Sequence, residues 1–351
     1  MAEIRPLEPG DLDAVAALVA ACIPGWRRSA AVLARNLVAD PWATEPLRSL
    51  VVTEAGGKIV GAFGAQERRL VFNGEQLRGV SCSHLVVAKE SRGGASGAML
   101  VKRMLSGDQD LTWTDSGTAD VVRIWRAFGG SLDHTRSGDW MYVLRPVRWM
   151  RHTAWGVVSG SRGGRRVLPA GSFPVHALGR RMLPGAFPKA PPHLRVEEAL
   201  PGAVLDALPR LTTGVHLRVD YDREYLDHVY RQIESLAGPI VRHLVLDQGE
   251  PIGWYVYIPR PGVGRVVHLA GDRRRIGDVF SHLVTDARER GCGMLSGRLE
   301  PHLDEPLRAR FGIVALTQRP LVHAHDPALL ATLASDQSLL TEFDLVDSEW
   351  W

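Results

Sequence analysis

Along the first 145 residues, short apolar runs give way in turn to stretches in which apolar positions recur every three or four residues. The first pattern predicts strands and the second predicts helices. Residues 3–7 read as a strand, and Pro9, Gly10 and Asp11 open a helix through residue 21 with Asp11 as its N-cap. A second helix is expected over residues 29–38. Residues 49–53 and 58–72 read as strands joined at Ala55, Gly56 and Gly57, and Asn73-Gly74 signals a hairpin into residues 76–88. After a helix ending near residue 105 come a strand at 110–114, a helix at 118–128 and a strand at 140–144. The predicted order is β-α-α-β-β-β-α-β-α-β.

The centre of this series is residues 80–105, VSCSHLVVAKESRGGASGAMLVKRML. An apolar run from Ser83 to Ala88 leads through Lys89, Glu90, Ser91 and Arg92 into Gly93, Gly94, Ala95, Ser96 and Gly97. A helix follows with Gly97, Ala98, Val101, Met104 and Leu105 on one side and Arg103 on the other. Glycines between a strand and a helix let backbone N–H groups converge, and the positive end of the helix dipole strengthens their pull on an anion. A phosphate-bearing ligand is the natural guest. The plainer reading is a turn that only packs helix against strand. The spacing is neither GxGxxG nor a loop ending in Gly-Lys-Ser/Thr, which disfavours dinucleotides and ATP.

The run Arg92-Gly93-Gly94-Ala95-Ser96-Gly97 resembles the coenzyme A diphosphate loop of the GNAT superfamily of N-acyltransferases, Arg/Gln-x-x-Gly-x-Gly/Ala, with Ala95 where that family has its first glycine. The order of elements over residues 3–145 is also similar to that family's. The resemblance implies an α/β fold on a mixed sheet. It further implies an acyl-CoA donor held by Arg92, Gly93, Gly94, Ala95, Ser96, Gly97 and Ala98, with its pantetheine arm along Leu85, Val86 and Val87.

Composition fits an ordinary globular chain: of 351 residues, 45% are apolar and 23% charged, enough for two domains. No apolar run is long enough to span a bilayer, and the N-terminus lacks a basic-then-apolar signal pattern. Cys22, Cys82 and Cys292 are too scattered for a disulfide framework or a metal site, so a cytoplasmic protein with reduced thiols and no bound metal is expected. Charge is less evenly spread. Residues 140–196 hold no Asp or Glu and ten Lys or Arg, so with a chain total of +3 the remainder sums to −7 (3 − 10). Clustered arginines with Trp149, Trp155 and Phe173 suit an RNA such as tRNA; the plainer reading is a solvated connector.

The second half then repeats the first. Leu50-Val51-Val52-Thr53-Glu54 corresponds to Leu244-Val245-Leu246-Asp247-Gln248, Gly57 and Gly61 to Gly249 and Gly253, Arg92 to Arg274, and Phe128-Gly129 to Phe311-Gly312. Two tandem GNAT-like domains are expected, residues 1–145 and 194–351, joined by a basic linker at 146–193. The second copy's loop is degenerate. In Arg274-Arg275-Ile276-Gly277-Asp278-Val279 a carboxylate enters the turn and Val279 crowds the backbone, so only the first copy is expected to bind a phosphorylated donor. A helix at 327–335, a strand at 341–346 and a docked Trp350-Trp351 end are expected to complete the second domain.

For the chemistry that the resemblance implies, a general base is needed beside the donor strand. Strand alternation places His84 with Cys82 and Val86, and imidazole as a group ordinarily titrates near neutral pH. Asp115 at the end of the next strand and Glu67 on the preceding one are the other candidates. Their plainer readings are a bonded core histidine, a helix cap and a locally paired strand charge. Many members of the resembled family use a tyrosine on the last helix as thiolate acid; residues 118–139 contain none, and Tyr142 lies beyond. Three functions follow: transfer of an acyl group from acetyl-CoA or another acyl-CoA to a small amine; transfer from aminoacyl-tRNA held by the basic segment; or non-catalytic binding of acyl-CoA or RNA.

Overall fold

The computed structural model describes residues 2–23, 31–32, 37–38, 40–44, 47–145, 189–307, 313–316 and 318–344. Most of the helix expected at 29–38, the basic segment at 146–188, Phe311-Gly312 and the terminal tryptophans lie outside the described residues.

The first half holds β1 (Glu3–Pro6), α1 (Leu12–Cys22), β2 (Leu50–Thr53), β3 (Ile59–Phe72), β4 (Glu75–Val87), α2 (Ser96–Leu105), β5 (Leu111–Thr114), α3 (Ala119–Ala127), β6 (Ser131–Leu132) and β7 (Gly138–Val143). The second half continues with β8 (Leu194–Glu198), α4 (Pro201–Leu211), β9 (Leu217–Val219), α5 (Arg223–Ala237), β10 (Val241–Asp247), β11 (Glu250–Ile258), β12 (Val263–Gly271) and α6 (Ile276–Glu289). It ends with β13 (Met294–Arg298), α7 (Pro301–Leu307), β14 (Ile313–Leu316), β15 (Leu321–Ala324), α8 (Pro327–Leu333) and β16 (Ser338–Leu339). The chain is thus a mixed α/β protein.

Local chemistry explains the joints. Asn73 and Gly74 turn the β3–β4 hairpin with φ of 51° and 88°, the left-handed pair such a turn requires. Asp11 does not cap α1 with its side chain; its carboxylate takes two bonds from Arg5 and one from the Glu8 amide across a short 3-10 turn, Pro9–Asp11. Residues 341–346 were expected as a strand, but Glu342–Asp344 is a 3-10 turn, because the Asp344 carboxylate folds back onto the Thr341 amide at 2.8 Å.

Two mixed sheets result, and they exchange strands. The first runs β1-β2-β3-β4-β5-β15-β6, with β9 and β16 extending from the far end of β3, and the second runs β14-β7-β13-β12-β11-β10-β8. Strand β7, expected by its place in sequence to close the first sheet, pairs with β13 instead. Its Trp140 lies over Gly297, where an added Cβ would fall 2.5 Å from the indole, so that glycine makes room for the ring. In return β15, from the second half, pairs with β5. The exchange carries Leu321 into the core of the first sheet and Trp140, Tyr142 and Leu144 into that of the second, and a third core is shared between the halves, in which Trp113 and Leu70 pack with Tyr225, Trp254 and Phe343.

Candidate functional site

Strands β4 and β5 run parallel for three residue pairs only, Gly79 with Leu111, Val80 with Thr112 and Ser81 with Trp113. Beyond Ser81 they separate, and residues 82–87 have no strand partner on that side. Two features set the parting. A bulge interrupts β4 opposite Phe63, with His84 left-handed at φ 52°. Strand β5 meanwhile follows β15, pairing Thr114 with Leu321. The bulge also breaks the alternation expected through Cys82, His84 and Val86. Leu85 and Val87 are half-buried while Val86 is buried.

At the open end of the V, Arg92, Gly93, Gly94 and Ala95 are exposed and carry the chain into α2. Gly93 is left-handed at φ 85° and a Cβ there would meet nothing within 4 Å, so the space beside it is open. The first helical bond of α2 runs from the Met99 amide to the Ala95 carbonyl, leaving the amides of Ser96, Gly97 and Ala98 without an intrahelical partner. Ala95 offers no capping side chain, and no acid enters the first turn. Arg92 Nε donates to the Val87 carbonyl at 3.1 Å, tying the turn to the end of β4 and keeping a cation beside the free amides. The arrangement suits a diphosphate.

The three candidate bases sit in different settings. His84 lies in the unpaired stretch, only 7% exposed, with Nδ1 2.8 Å from Ser83 Oγ. Asp115 follows the end of the other arm, β5; Thr118, not Asp115, caps α3 by accepting from the Val121 amide. Asp115 Oδ2 instead accepts from Arg298 at 3.1 Å, in a pair whose side chains are almost wholly buried. Glu67 pairs across β3 with Val80, in a row where β4 and β5 are still bonded. That row lies four residues before His84, about 13 Å down the strand. Its carboxylate accepts from the Thr44 amide and hydroxyl and from Arg78 Nε. His84 and Asp115 therefore occupy opposite arms of the V, while Glu67 lies below it.

Cys82 is buried, and burial pushes its thiol well above the usual range, which disfavours a thiolate nucleophile. Tyr142 sits in β7, packed edge-on to Phe280 in the second sheet. Tyr255 is buried with its hydroxyl 2.9 Å from His243 Nδ1 and 3.0 Å from His282 Nδ1, which makes it sheet packing. Sequence reasoning missed Arg298; no spacing in the chain signals that the end of β13 meets the end of β5.

The second half builds the same V and closes it. Strands β12 and β13 pair from Val263/Met294 to Val266/Gly297, then part. Here residues 266–270 are all buried. Two residues, Leu299 and Glu300, lead from β13 into α7, where residues 115–118 lead from β5 into α3, so α7 stays close to the V. His302 on α7 lies 3.0 Å from the Leu269 carbonyl, which requires the proton on Nε2. Burial lowers that imidazole to about 4, so it is neutral. Trp140, Val266, His268, Glu300 and Leu303 line a cavity of about 10 Å³.

The second turn is closed as well. Arg274 donates its amide to Asp272 Oδ1, and the amides of Asp278 and Val279 bond the Arg275 carbonyl. Arg275 bridges Asp278 at 2.8 Å and Asp247 at 2.7 Å. Val279 is fully buried against Gly253, where a Cβ would fall 2.6 Å from its methyl. Among the described residues no group of three or more His, Cys, Asp or Glu could hold a metal, and no helix is long and apolar enough to cross a membrane.

Neither a protein-family model nor a curated protein matches the chain by sequence. Solved structures do match its fold. A probable N-acyltransferase from Enterococcus faecalis V583 aligns with a TM-score of 0.61 at 10% identity, over 92% of this chain and 73% of that one. A GCN5-related N-acetyltransferase from Kribbella flavida aligns at 0.59 and 16%, over 95% and 73%. The Saccharomyces cerevisiae N-myristoyltransferase, solved with bound myristoyl-CoA, aligns at 0.57 and 14%, over 97% and 89%. The fold is that of the GCN5-related acyltransferases, and the likeness in architecture extends well beyond residues 80–105.

Proposed function

We propose that the chain is an N-acyltransferase that moves an acyl group from acyl-CoA, acetyl-CoA being the simplest case, to the amine of a small molecule. The observation that carries this reading is the open glycine turn at the mouth of the parted strands β4 and β5. The amides of residues 93–98 and the Arg92 guanidinium would bind the diphosphate, and the free edge of Leu85, Val86 and Val87 would pair with the amides of the pantetheine arm. A backbone N–H of that edge would hold the thioester carbonyl as negative charge grows on it.

His84 is the base this reading selects, since it lies in the same stretch, whereas Asp115 is paired with Arg298 and Glu67 sits a row below the opening. The attacking amine forms the C–N bond, its surplus proton passes to the imidazole, the C–S bond breaks, and the thiolate of CoA is protonated by solvent. The test is release of free thiol from acetyl-CoA in the presence of a panel of primary amines. Transfer that instead requires charged tRNA, is abolished by ribonuclease and falls steeply with salt would replace the donor with aminoacyl-tRNA. Saturable acetyl-CoA binding with no transfer to any amine would leave a non-catalytic binder.

A further inference from the structure

One arm of the V is held by the other half of the chain. After its last paired residue, Trp113, strand β5 has β15 along one side and the Arg298 guanidinium at its end, and both come from beyond residue 290. Arg298 closes β13 and Asp115 follows β5, so the pair joins nearly corresponding ends of the two parallel strands that form the two Vs.

The pair is a poor stabiliser. Asp115 Oδ1 and Arg298 Nε and Nη1 are buried without a hydrogen-bond partner, and Arg136 Nε nearby is the same. Asp115, Arg136 and Arg298 line a cavity of about 20 Å³, with Trp113 and Val322 as its apolar walls, a volume that admits about one water. A buried ion pair with groups left unbonded contributes less to stability than an apolar pair of the same size would. What the contact does supply is position: it ties the residue after β5 to the end of β13, on the far side of β5 from β4.

Building on the donor site proposed above, we propose that Arg298 is a positioning residue for the donor cleft, setting the opening between β4 and β5 through Asp115. The second half then serves as the abutment of a cleft it does not line. The diphosphate turn lies at the other arm, so the contact governs the fit of the pantetheine arm and leaves the grip on the nucleotide unchanged.

Calorimetric titration with two probes tests this, acetyl-CoA and 3′-phosphoadenosine 5′-diphosphate, which has the diphosphate but no pantetheine. In the neutral double variant Asp115→Asn/Arg298→Gln, acetyl-CoA affinity is expected to fall about tenfold, while affinity for the shorter probe is unchanged. A folded double variant that binds acetyl-CoA as the unmodified chain does, or that loses both probes equally, overturns the proposal. If the double variant does not fold, Arg298→Lys, which keeps the charge but not the fork, is expected to show a smaller loss confined to acetyl-CoA; equal binding overturns the proposal there too. An unmodified chain that binds neither probe removes the donor site itself, and this inference with it.

Discussion

The two halves use the same strand-turn-helix, and they differ in what satisfies its amides. Residues 88–95 connect β4 to α2, while residues 272–275 connect β12 to α6, a turn half as long. The longer turn leaves Gly93 and Gly94 exposed and the first amides of α2 uncapped; the shorter one spends its amides on Asp272 and the Arg275 carbonyl and pairs Arg275 with Asp278 and Asp247. Helix N-termini attract anions only when no internal acceptor has met the demand. The two halves therefore share an architecture, and side-chain chemistry distinguishes their turns.

The largest effect is expected from closing the open turn. A Cβ at Gly97 would stand 3.5 Å from Val87 and 3.9 Å from Ile124, so an indole there would fill the groove between the end of β4 and α3. Gly97→Trp is expected to abolish acetyl-CoA binding, whereas Arg274→Ala in the second turn leaves it intact. Titration of both variants reads the difference, and loss of binding in Arg274→Ala would move the donor to the other half.

Within the open cleft the next effect is chemical. His84→Gln is expected to lower kcat by about 10²- to 10⁴-fold, the range for removing a general base, with the acetyl-CoA dissociation constant unchanged. Steady-state rates beside direct titration separate the two quantities. A variant with normal kcat would return His84 to the role of a core histidine bonded to Ser83.

Much of this contrast was legible in the chain. Element order, the glycine turn and the crowding by Val279 follow from local rules of spacing, dipole and volume, and the alignment of Leu50-Val51-Val52 with Leu244-Val245-Leu246 lands on corresponding strands β2 and β10. What could not be read are the features that depend on the two halves meeting. The exchange of β7 for β15 turns on Trp140 finding room over Gly297, and apolar alternation is the same whichever sheet a strand joins. The bulge at His84 shifts the register between Ser83 and Val86, because one extra residue changes the period. The hold of Arg298 on Asp115, 183 positions apart, leaves no pattern in sequence at all.

The closed copy can be probed by loosening it. Val279 is fully buried, and Val279→Ala is expected to destabilise the protein by about 2 kcal/mol through the cavity it leaves, measured by denaturant unfolding. Acetyl-CoA should still bind at one site per chain, because α7 and the His302 bond to Leu269 continue to fill the V. A second binding event in this variant would show that Val279 alone keeps the copy shut.

The smallest expected effect lies on the inner wall of that closed V, where Glu300 accepts the Glu342 amide at 3.1 Å. Burial holds the Glu300 carboxyl well above the usual range, reinforced by the charge of Glu342, with Arg136 and Arg298 opposing. A carboxyl that binds its proton more tightly when folded lends stability that is complete at low pH and lost as pH rises through the folded value. Glu300→Gln keeps the acceptor and removes the titration. Its melting midpoint should exceed that of the unmodified chain by a few degrees at about pH 8, the gap narrowing toward about pH 5. His268 and His302, whose imidazoles burial lowers, weaken the fold on the acid side; His302 Nε2 lies 3.7 Å from Glu300 Oε2, so the widening of the gap on the alkaline side, where both imidazoles are neutral, is the part that reports Glu300. A gap that does not change with pH would mean that Glu300 is already ionised in the folded chain. The second V would then be wet enough to hydrate a charge, and the contrast between an open and a closed copy would rest on the turns alone.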